Sequence, residues 1–442
     1  MSLFNGLKVF SRRKENFLYK YKSYYMKILW LSNIAFSSQK LKATASWLQP
    51  MAEQLAKSVE MVNVSDGQVN QPTVSTFNNI KQWVIPSHST CYGQEASEAT
   101  CIQVQRIIDE EKPDLVHLWG TEKYWASIYR KGYIHVPTIL DIQGLLAPYT
   151  DYYYGGLSWK EIIKSIHLKE VLMPWRTLFH KREIFRKRGI CETRNIKSFK
   201  YIAYQSQWVK NYLSYIHPSA SLFPTKIILR KRFYESEKWL YKITDAPVVF
   251  STCSAAVSYK GMHIVIKAIA LLKQQYPHIK LKLAGDINVG NKLLDGYSVF
   301  LKNLIKKYDL QENVIYLGSL DETQIIENLQ HANACVIPSF VETYCLAFAE
   351  SMMVGTPTIA SYAGAMPELA VNGEEALFYN SMDYYSCAAL IDKVIQDKQL
   401  AEHLSENGRK RRMKENDITV VVSRQIDIYK EVLEYEHNKY GI

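Results

Sequence analysis

Glu342 and Glu350 stand at either end of a short apolar run in IPSFVETYCLAFAESMMVGTPTIASYAGAMPEL, residues 337–369. Paired carboxylates bind hydroxyl groups or move protons, but spacing alone carries little, because a chain of this length holds about one such Glu pair by accident. The surroundings carry more. NACVIPS is a β-branched apolar run that reads as a buried strand ending at Pro338, and LAFAESMMV reads as a helix stopped by Gly355 and Pro357. TPTIASY then begins another strand. Strand, turn, helix, glycine stop and strand form the repeating unit of a doubly wound parallel sheet, whose ligands sit beyond the carboxyl ends of its strands. The turn holding Glu342, Thr343 and Tyr344 lies at such an end.

That placement gives the two carboxylates a task. Free backbone N–H groups at the helix start, near Thr343, Tyr344 and Cys345, would form a site for an anion such as a diphosphate, with Glu342 beside it. With residues 346–353 helical, Glu350 lies about 10 Å from Glu342, at about 1.5 Å of rise per residue. A nucleotide sugar has that reach, with sugar hydroxyls at one end, diphosphate in the middle and ribose hydroxyls at the other. The simpler alternative is that Glu342 merely answers the positive end of the helix dipole and Glu350 is a solvated helix position. Lys260 is the third residue of interest. It precedes the amphipathic stretch MHIVIKAIALLKQQY, where the dipole disfavours a cation unless an anion is bound. Its alternative is a solvated surface lysine.

The whole chain bounds what these residues can do. Its 442 residues suffice for two or three domains, and 47% hydrophobic with 22% charged residues describes an ordinary globular protein. No run of about 18 apolar residues occurs, and the N-terminus lacks the apolar core of a signal peptide, so a cytoplasmic location is expected. The seven cysteines form no CxxC pair and the histidines no HxH or HExxH, and no Asp-x-Asp stands at a strand end. Neither a protein-held metal nor a cofactor is expected. Net charge is +11, with 35 Lys and Arg against 20 Asp and Glu in residues 1–250, and 19 against 23 in the remainder. The basic excess peaks in HKREIFRKRG, where Lys181, Arg182, Arg186, Lys187 and Arg188 interleave with Ile184 and Phe185. Such a half calls for anionic partners: nucleic acid, an acidic membrane surface or a phosphorylated acceptor.

Strand and helix patterns alternate in both halves. KILWLSNI, VEMVNV, PDLVHLW, VPTILDI, YIAYQSQ and KIILRKRF read as strands of one parallel sheet; PVVFSTC, KLKLAGD, NVIYLG, ACVIPS and TPTIASY read as strands of a second. The chain therefore divides into a basic N-terminal extension (1–25), a first domain (26–244), a second domain (245–417), and a terminal helix (418–442) expected to pack back on the first domain. Between Lys160 and Arg188, Ile162, Ile163, Ile166, Leu178, Phe179 and Phe185 alternate with basic residues, the pattern of a membrane-surface segment. These positions could equally pack on the first domain.

With SYKGMHIVIKAIALL, KLKLAGD and IPSFVETYCLAFAESMMVGTPTIASYAGAMPELAVNG in view, the chain resembles the family 4 retaining glycosyltransferases, of the subgroup that builds bacterial surface polysaccharides. The last segment holds that family's E-x7-E signature. MKILWLSN, PDLVHLWGTE and DIQGLLAPY look like its weaker acceptor-domain signals. The resemblance implies an α/β fold of the GT-B type, two Rossmann-like doubly wound domains facing a cleft. It implies that Lys260 and Gly261 meet the donor diphosphate, that Glu342 binds sugar hydroxyls, that Thr343, Tyr344, Cys345 and Leu346 line sugar and phosphate, and that Glu350 binds the ribose. Lys260 and Glu342 would be the catalytic residues, with Gln143 and Gly144 on the acceptor side. The implied partners are a nucleotide sugar and a glycan or lipid-linked acceptor; the lopsided charge adds an anionic membrane surface, and nucleic acid is not expected because no nucleic-acid motif occurs.

Three positions depart from the pattern. Ala255 stands where many relatives have an arginine aimed at the phosphates, so that Lys260 would work with backbone donors and a basic residue from the other domain, or the donor would bind differently. Gln143 replaces a histidine; it can hydrogen-bond sugar hydroxyls but carries no proton at neutral pH. Thr343-Tyr344-Cys345 replaces Gly-Phe-Gly, which should make the loop less free to reach positive φ. Glu368 reads as a capping residue rather than a catalytic one. An epimerase or hydrolase acting on the nucleotide sugar itself, and a basic nucleic-acid-binding protein, are the competing readings.

Overall fold

Runs such as KILWL, LVHLW and ACVI lack polar alternation, so strands built from them need apolar cover on both faces. In the computed structural model, which describes residues 26–37, 47–166, 168–255, 257–286 and 296–440, they lie in the middle of two such covered sheets. The basic extension at residues 1–25 lies outside the described residues.

The first sheet contains β1 (Lys27–Leu31), β2 (Glu60–Gly67), β3 (Thr73–Phe77), β4 (Ile80–Pro86), β7 (Leu115–Trp119), β8 (Thr138–Asp141), β9 (Tyr201–Tyr204) and β10 (Ser221–Pro224). A two-stranded ribbon, β5 (Ser89–Thr90) and β6 (Glu95–Ala96), lies beside it. The strand order is β10-β9-β8-β7-β1-β2-β4-β3, parallel except for the β3–β4 pair. That pair is absent from the sequence reading. It is a hairpin turned by Asn78 and Asn79, both at positive φ (46° and 64°), as a tight two-residue turn requires. The second sheet comprises β11 (Val248–Ala255), β12 (Lys280–Asp286), β13 (Val314–Gly318), β14 (Ala334–Ile337), β15 (Thr358–Ser361) and β16 (Leu377–Tyr379), in the order β13-β12-β11-β14-β15-β16. All its pairings are parallel.

KIILRKRF is not a strand. The chain leaves the first sheet after Pro224 and runs irregularly to a short helix, Lys231–Glu235. Ile227, Ile228 and Leu229 are nearly fully buried, so the apolar signal is real, but it belongs to a connection packed in the core between the halves.

Two segments cross from one half to the other. The terminal helix Ile418–Tyr440 lies against the first sheet: Trp30 Nε1 donates to the Tyr429 hydroxyl at 3.1 Å, and His117 Nδ1 pairs with the same hydroxyl at 2.8 Å. In the opposite direction, residues 153–166 and 168–176 leave the first half and pack on the second. Ile162 joins the apolar cluster of the helix Met262–Leu272, and Lys267 Nζ meets Glu161 at 3.1 Å. Of the interleaved apolar residues, Ile162 and Leu178 are buried and Phe179 and Phe185 pack on the core, whereas Ile163 is exposed.

Candidate functional site

Lys260 closes the 3₁₀ turn Ser258–Lys260, and Gly261 follows in the left-handed conformation (φ 71°, ψ 17°) to open the helix Met262–Leu272. The turn is pressed against the end of β14: a Cβ at Gly261 would lie 1.9 Å from the Pro338 carbonyl oxygen, and the Phe340 N–H donates to the Tyr259 carbonyl at 2.7 Å. The two strand ends thus form one zipped edge, and this brings Lys260 to Glu342. Lys260 Nζ donates to Glu342 Oε1 at 2.6 Å, with 21% and 10% of the two side chains exposed. Burial acts to lower the lysine pKa, and the Glu342 carboxylate outweighs it, holding the ammonium above its ordinary value. Lys260 is not a solvated surface lysine. Tyr149 and Tyr259, packed edge to face at 5.7 Å, flank the pair.

The loop after Glu342 contradicts one expectation. Cys345 lies at φ 88°, ψ 82° and opens the helix Leu346–Val354, so positive φ is reached without glycine. A non-glycine residue there costs roughly 1–3 kcal/mol and persists only when its neighbours over-determine it. They do. The Thr343 hydroxyl donates to the Gln143 carbonyl at 2.7 Å, its own carbonyl accepts from Ser206 at 2.8 Å, and the Tyr344 hydroxyl accepts from Asn416 at 2.8 Å. The first two of these bonds tie the loop to the first half. Leu346, the first helical residue, is partly buried against the same core.

Glu350 sits on the same helix and apart from the Lys260 pair. It is buried rather than solvated, and Arg230 Nε and Nη2 donate to its Oε1 at 3.0 and 2.7 Å. Burial raises the Glu350 pKa and Arg230 opposes the rise. Arg230 comes from the connection between the halves. Sequence reading places it in a strand, KIILRKRF, and names no role for it. Glu368 caps a helix other than its own: its carboxylate accepts from the Gln207 and Trp208 N–H groups at 2.6 and 2.8 Å, at the start of the first-half helix Gln207–Ile216.

On the first-half side, Gln143 and Gly144 follow β8. Gln143 Nε2 donates to Asp141, which also accepts from Gln205 at 3.0 Å. Beneath the loop lie Glu192, which is buried, and Glu122, which is half-buried with its Oε2 shielded from solvent; sequence reading singled out neither. A Cβ at Gly144 would stand 2.7 Å from Glu122 Oε1, so the glycine makes room for that side chain. Glu192 Oε2 accepts from the Leu146 and Ala147 N–H groups at 2.8 and 3.0 Å.

The proton count around Glu192 is informative. Thr121 has one hydroxyl hydrogen, yet its oxygen lies within hydrogen-bond range of both the Gly144 carbonyl and Glu192 Oε1. A protonated Glu192 satisfies both, donating to Thr121 while Thr121 donates to Gly144. Burial pushes the Glu192 pKa in the same direction, to about 8. The folded chain then holds a proton that the unfolded chain, with an ordinary value of 4.5, releases. This contribution to stability is complete below the unfolded pKa and is lost as pH rises through the folded one. It amounts to a few kcal/mol, on the order of 1.4 kcal/mol for each tenfold difference in proton affinity between the two states. Calorimetric unfolding should show the melting temperature of Glu192→Gln, neutral at every pH, falling less than that of the unchanged chain between about pH 5 and about pH 8. The fall persists in part because burial raises Asp141 and Glu122 in the same sense. Identical slopes would refute the protonated state.

Among the described residues, no His, Cys, Asp or Glu cluster is arranged to hold a metal ion, and no helix is long and apolar enough to cross a membrane.

Comparison with known proteins bears on this geometry. Residues 235–411, which include Lys260, Glu342 and Glu350, match the family described as glycosyl transferases group 1. An uncharacterized glycosyltransferase, YqgM of Bacillus subtilis, is 29% identical over 176 residues, 40% of this chain and 47% of that protein. Protein CapJ of Staphylococcus aureus is 31% identical over 150 residues, 34% of this chain and 35% of that one. The match thus spans less than half the length of these curated relatives. Over the whole chain the likeness is structural. Sucrose-phosphate synthase from Thermosynechococcus elongatus superposes with a TM-score of 0.70 at 16% identity, covering 93% of this chain and all of that one. HepE of Anabaena, in complex with UDP and glucose, superposes at 0.64 and 17% identity, over 91% and 98% of the two chains. The fold is the GT-B arrangement, two Rossmann-like parallel-sheet domains.

Proposed function

We propose that the protein transfers a hexose or related sugar from a nucleotide diphosphate sugar to a growing surface glycan or lipid-linked acceptor, with retention at the anomeric carbon in the manner of family 4. The observation that carries this reading is the Lys260–Glu342 ion pair, held at the carboxyl edge of a parallel sheet inside the segment that matches glycosyl transferases group 1. UDP in the complex of a structural neighbour, and capsular polysaccharide biosynthesis in the name of Staphylococcus aureus CapM, support the substrate classes.

In this reading the donor diphosphate displaces Glu342 from Lys260. The ammonium and the N–H groups at the start of the helix Leu346–Val354 then stabilise the negative charge that grows as the bond from the sugar to the diphosphate breaks. Glu342, released, holds sugar hydroxyls, and Glu350 with Arg230 faces the ribose. The acceptor enters beside Gln143 and Gly144, and its hydroxyl attacks from the face the leaving group vacates and passes its proton to the departing diphosphate oxygen, with no enzyme nucleophile. Contact of the Thr343 loop with the first half excludes water that would hydrolyse the donor. The protein works at the cytoplasmic side of an anionic membrane.

Lysine and a helix terminus already supply positive charge to the leaving group, so no protein-held metal is required. Incubation with a panel of nucleoside diphosphate sugars and a lipid-linked glycan acceptor should give a glycosylated product of unchanged anomeric configuration, and most of the activity should survive EDTA. Release or inversion of sugar without transfer would favour the hydrolase or epimerase, and complete loss restored by manganese would refute the metal-free reading.

A further inference from the structure

We infer that the outward face of the crossing segment, formed by Trp159, Ile163, Leu172 and Trp175 with Lys160 and Lys164, is a docking surface for an anionic lipid bilayer. The inference rests on the membrane association proposed above and narrows it, within the stretch Lys160–Arg188, to this face.

The side chains sort by direction. Trp159 and Ile163 are four residues apart on the helix Trp159–Lys164 and form one stripe, 65% and 60% exposed; Lys160 and Lys164 form the adjoining stripe, also exposed. Ile162 points the other way, into the core of the second half. Farther along, Val171, Leu172 and Trp175 are 64%, 78% and 59% exposed. Large apolar side chains left this exposed along one short segment point to a contact site. Residues 159–176 contain two acidic residues, and both are engaged by partners. Glu161 accepts from the Ser158 N–H and hydroxyl and from Lys267 of the second half, and Glu170, 2% exposed, accepts from the Gly296 N–H at 2.7 Å. The face left outside is therefore apolar and basic, the composition that seats amphipathic segments at the boundary of an anionic bilayer. Tryptophan suits that boundary, with an apolar ring and a polar N–H.

The long helix is less suited. Arg182 is occupied by the Thr150 carbonyl and the Tyr154 ring, Arg186 and Lys187 pair with Glu183, and Leu178, Phe179 and Phe185 are directed at the core. The crossing segment also has a mechanical link to the candidate site. Its root meets the Lys260 turn where Ser258 donates to the Tyr153 carbonyl and where a Cβ at Gly155 would collide with the Ser258 carbonyl. Docking would set that turn against the surface on which a lipid-linked acceptor lies.

The test is co-flotation of the full chain with vesicles of phosphatidylcholine alone or mixed with phosphatidylglycerol. The unchanged chain should float with the mixed vesicles and not with the neutral ones. Leu172→Ser with Trp175→Ser should reduce recovery at least tenfold, Lys160→Glu with Lys164→Glu should do likewise, and Arg186→Glu with Lys187→Glu on the long helix should leave it nearly unchanged. Unaltered melting temperatures establish that the variants are folded. If the unchanged chain floats and both face variants float equally well, this face is wrong and membrane association stands. If the unchanged chain floats with neither vesicle, or equally with both, the anionic-membrane reading fails with it. Concentration-dependent dimerisation abolished by the face variants, without flotation, would assign the surface to a second copy of the chain.

Discussion

Replacing Lys260 with methionine lowers donor turnover by about 10²–10³-fold, the range expected when one fixed positive donor to a developing anion is removed. Methionine keeps most of the stem, so the loss reports charge rather than packing. The substitution also leaves Glu342, 10% exposed, without the cation that sits 2.6 Å from it. Removing one partner of a buried pair costs about 3–5 kcal/mol, and water reaching the partly exposed lysine places this case at the low end. The double variant Lys260→Met with Glu342→Gln separates the two effects. It should regain most of the stability, because no unpaired charge remains, and none of the turnover. Product release by chromatography and thermal melting of both variants and the unchanged chain supply both readings. Turnover within a few-fold of the unchanged chain would remove Lys260 from the site.

Gly261→Ala tests the same turn without deleting any functional group. The added methyl meets the Pro338 carbonyl at 1.9 Å and the backbone is held at φ 71°, so the turn has to move. Displacement of a positioned group by about 1 Å costs on the order of 100-fold. Donor turnover should fall by about that factor, and affinity for the preferred nucleoside diphosphate, measured calorimetrically, should fall with it. Gly132 and Gly373 serve as controls, since each also has positive φ (82° and 85°) but open space where the methyl would lie. Alanine at either should cost about 1 kcal/mol of stability and leave binding intact. Equal effects at all three glycines would mean that backbone strain, and not the approach of the two strand ends, sets the response.

The parts of the site that were legible in the sequence depend on neighbours along the chain. The strand before Pro338, the helix from Leu346 and its stop at Gly355 follow from local patterns, and their order fixes which end of the sheet Glu342 occupies. Arg230 was invisible because its partner, Glu350, lies 120 residues away. Cys345 was misjudged for the same reason: residue preference forbids its conformation, and bonds from Gln143, Ser206 and Asn416 impose it. The β3–β4 hairpin was missed although its Asn-Asn turn was present, since β4 lies parallel beside β2 and its half-buried residues blur the alternation. In the basic region, charge density was readable and direction was not. Nothing in the order of residues tells that Ile162 faces a core and Ile163 faces outward.

The exchange of segments between the halves has a consequence for synthesis. Trp30 leaves the ribosome 399 residues ahead of Tyr429, whose hydroxyl serves both Trp30 and His117 in the middle of the first sheet. At about 5–20 residues per second the nascent first half waits roughly 20–80 s with that interior unclosed and its apolar strands open to aggregation. The second half has its arm, residues 153–166 and 168–176, ready before its own first strand is made. Translation therefore completes the later half first, and loss of the last helix by a premature stop would damage the oldest part of the chain.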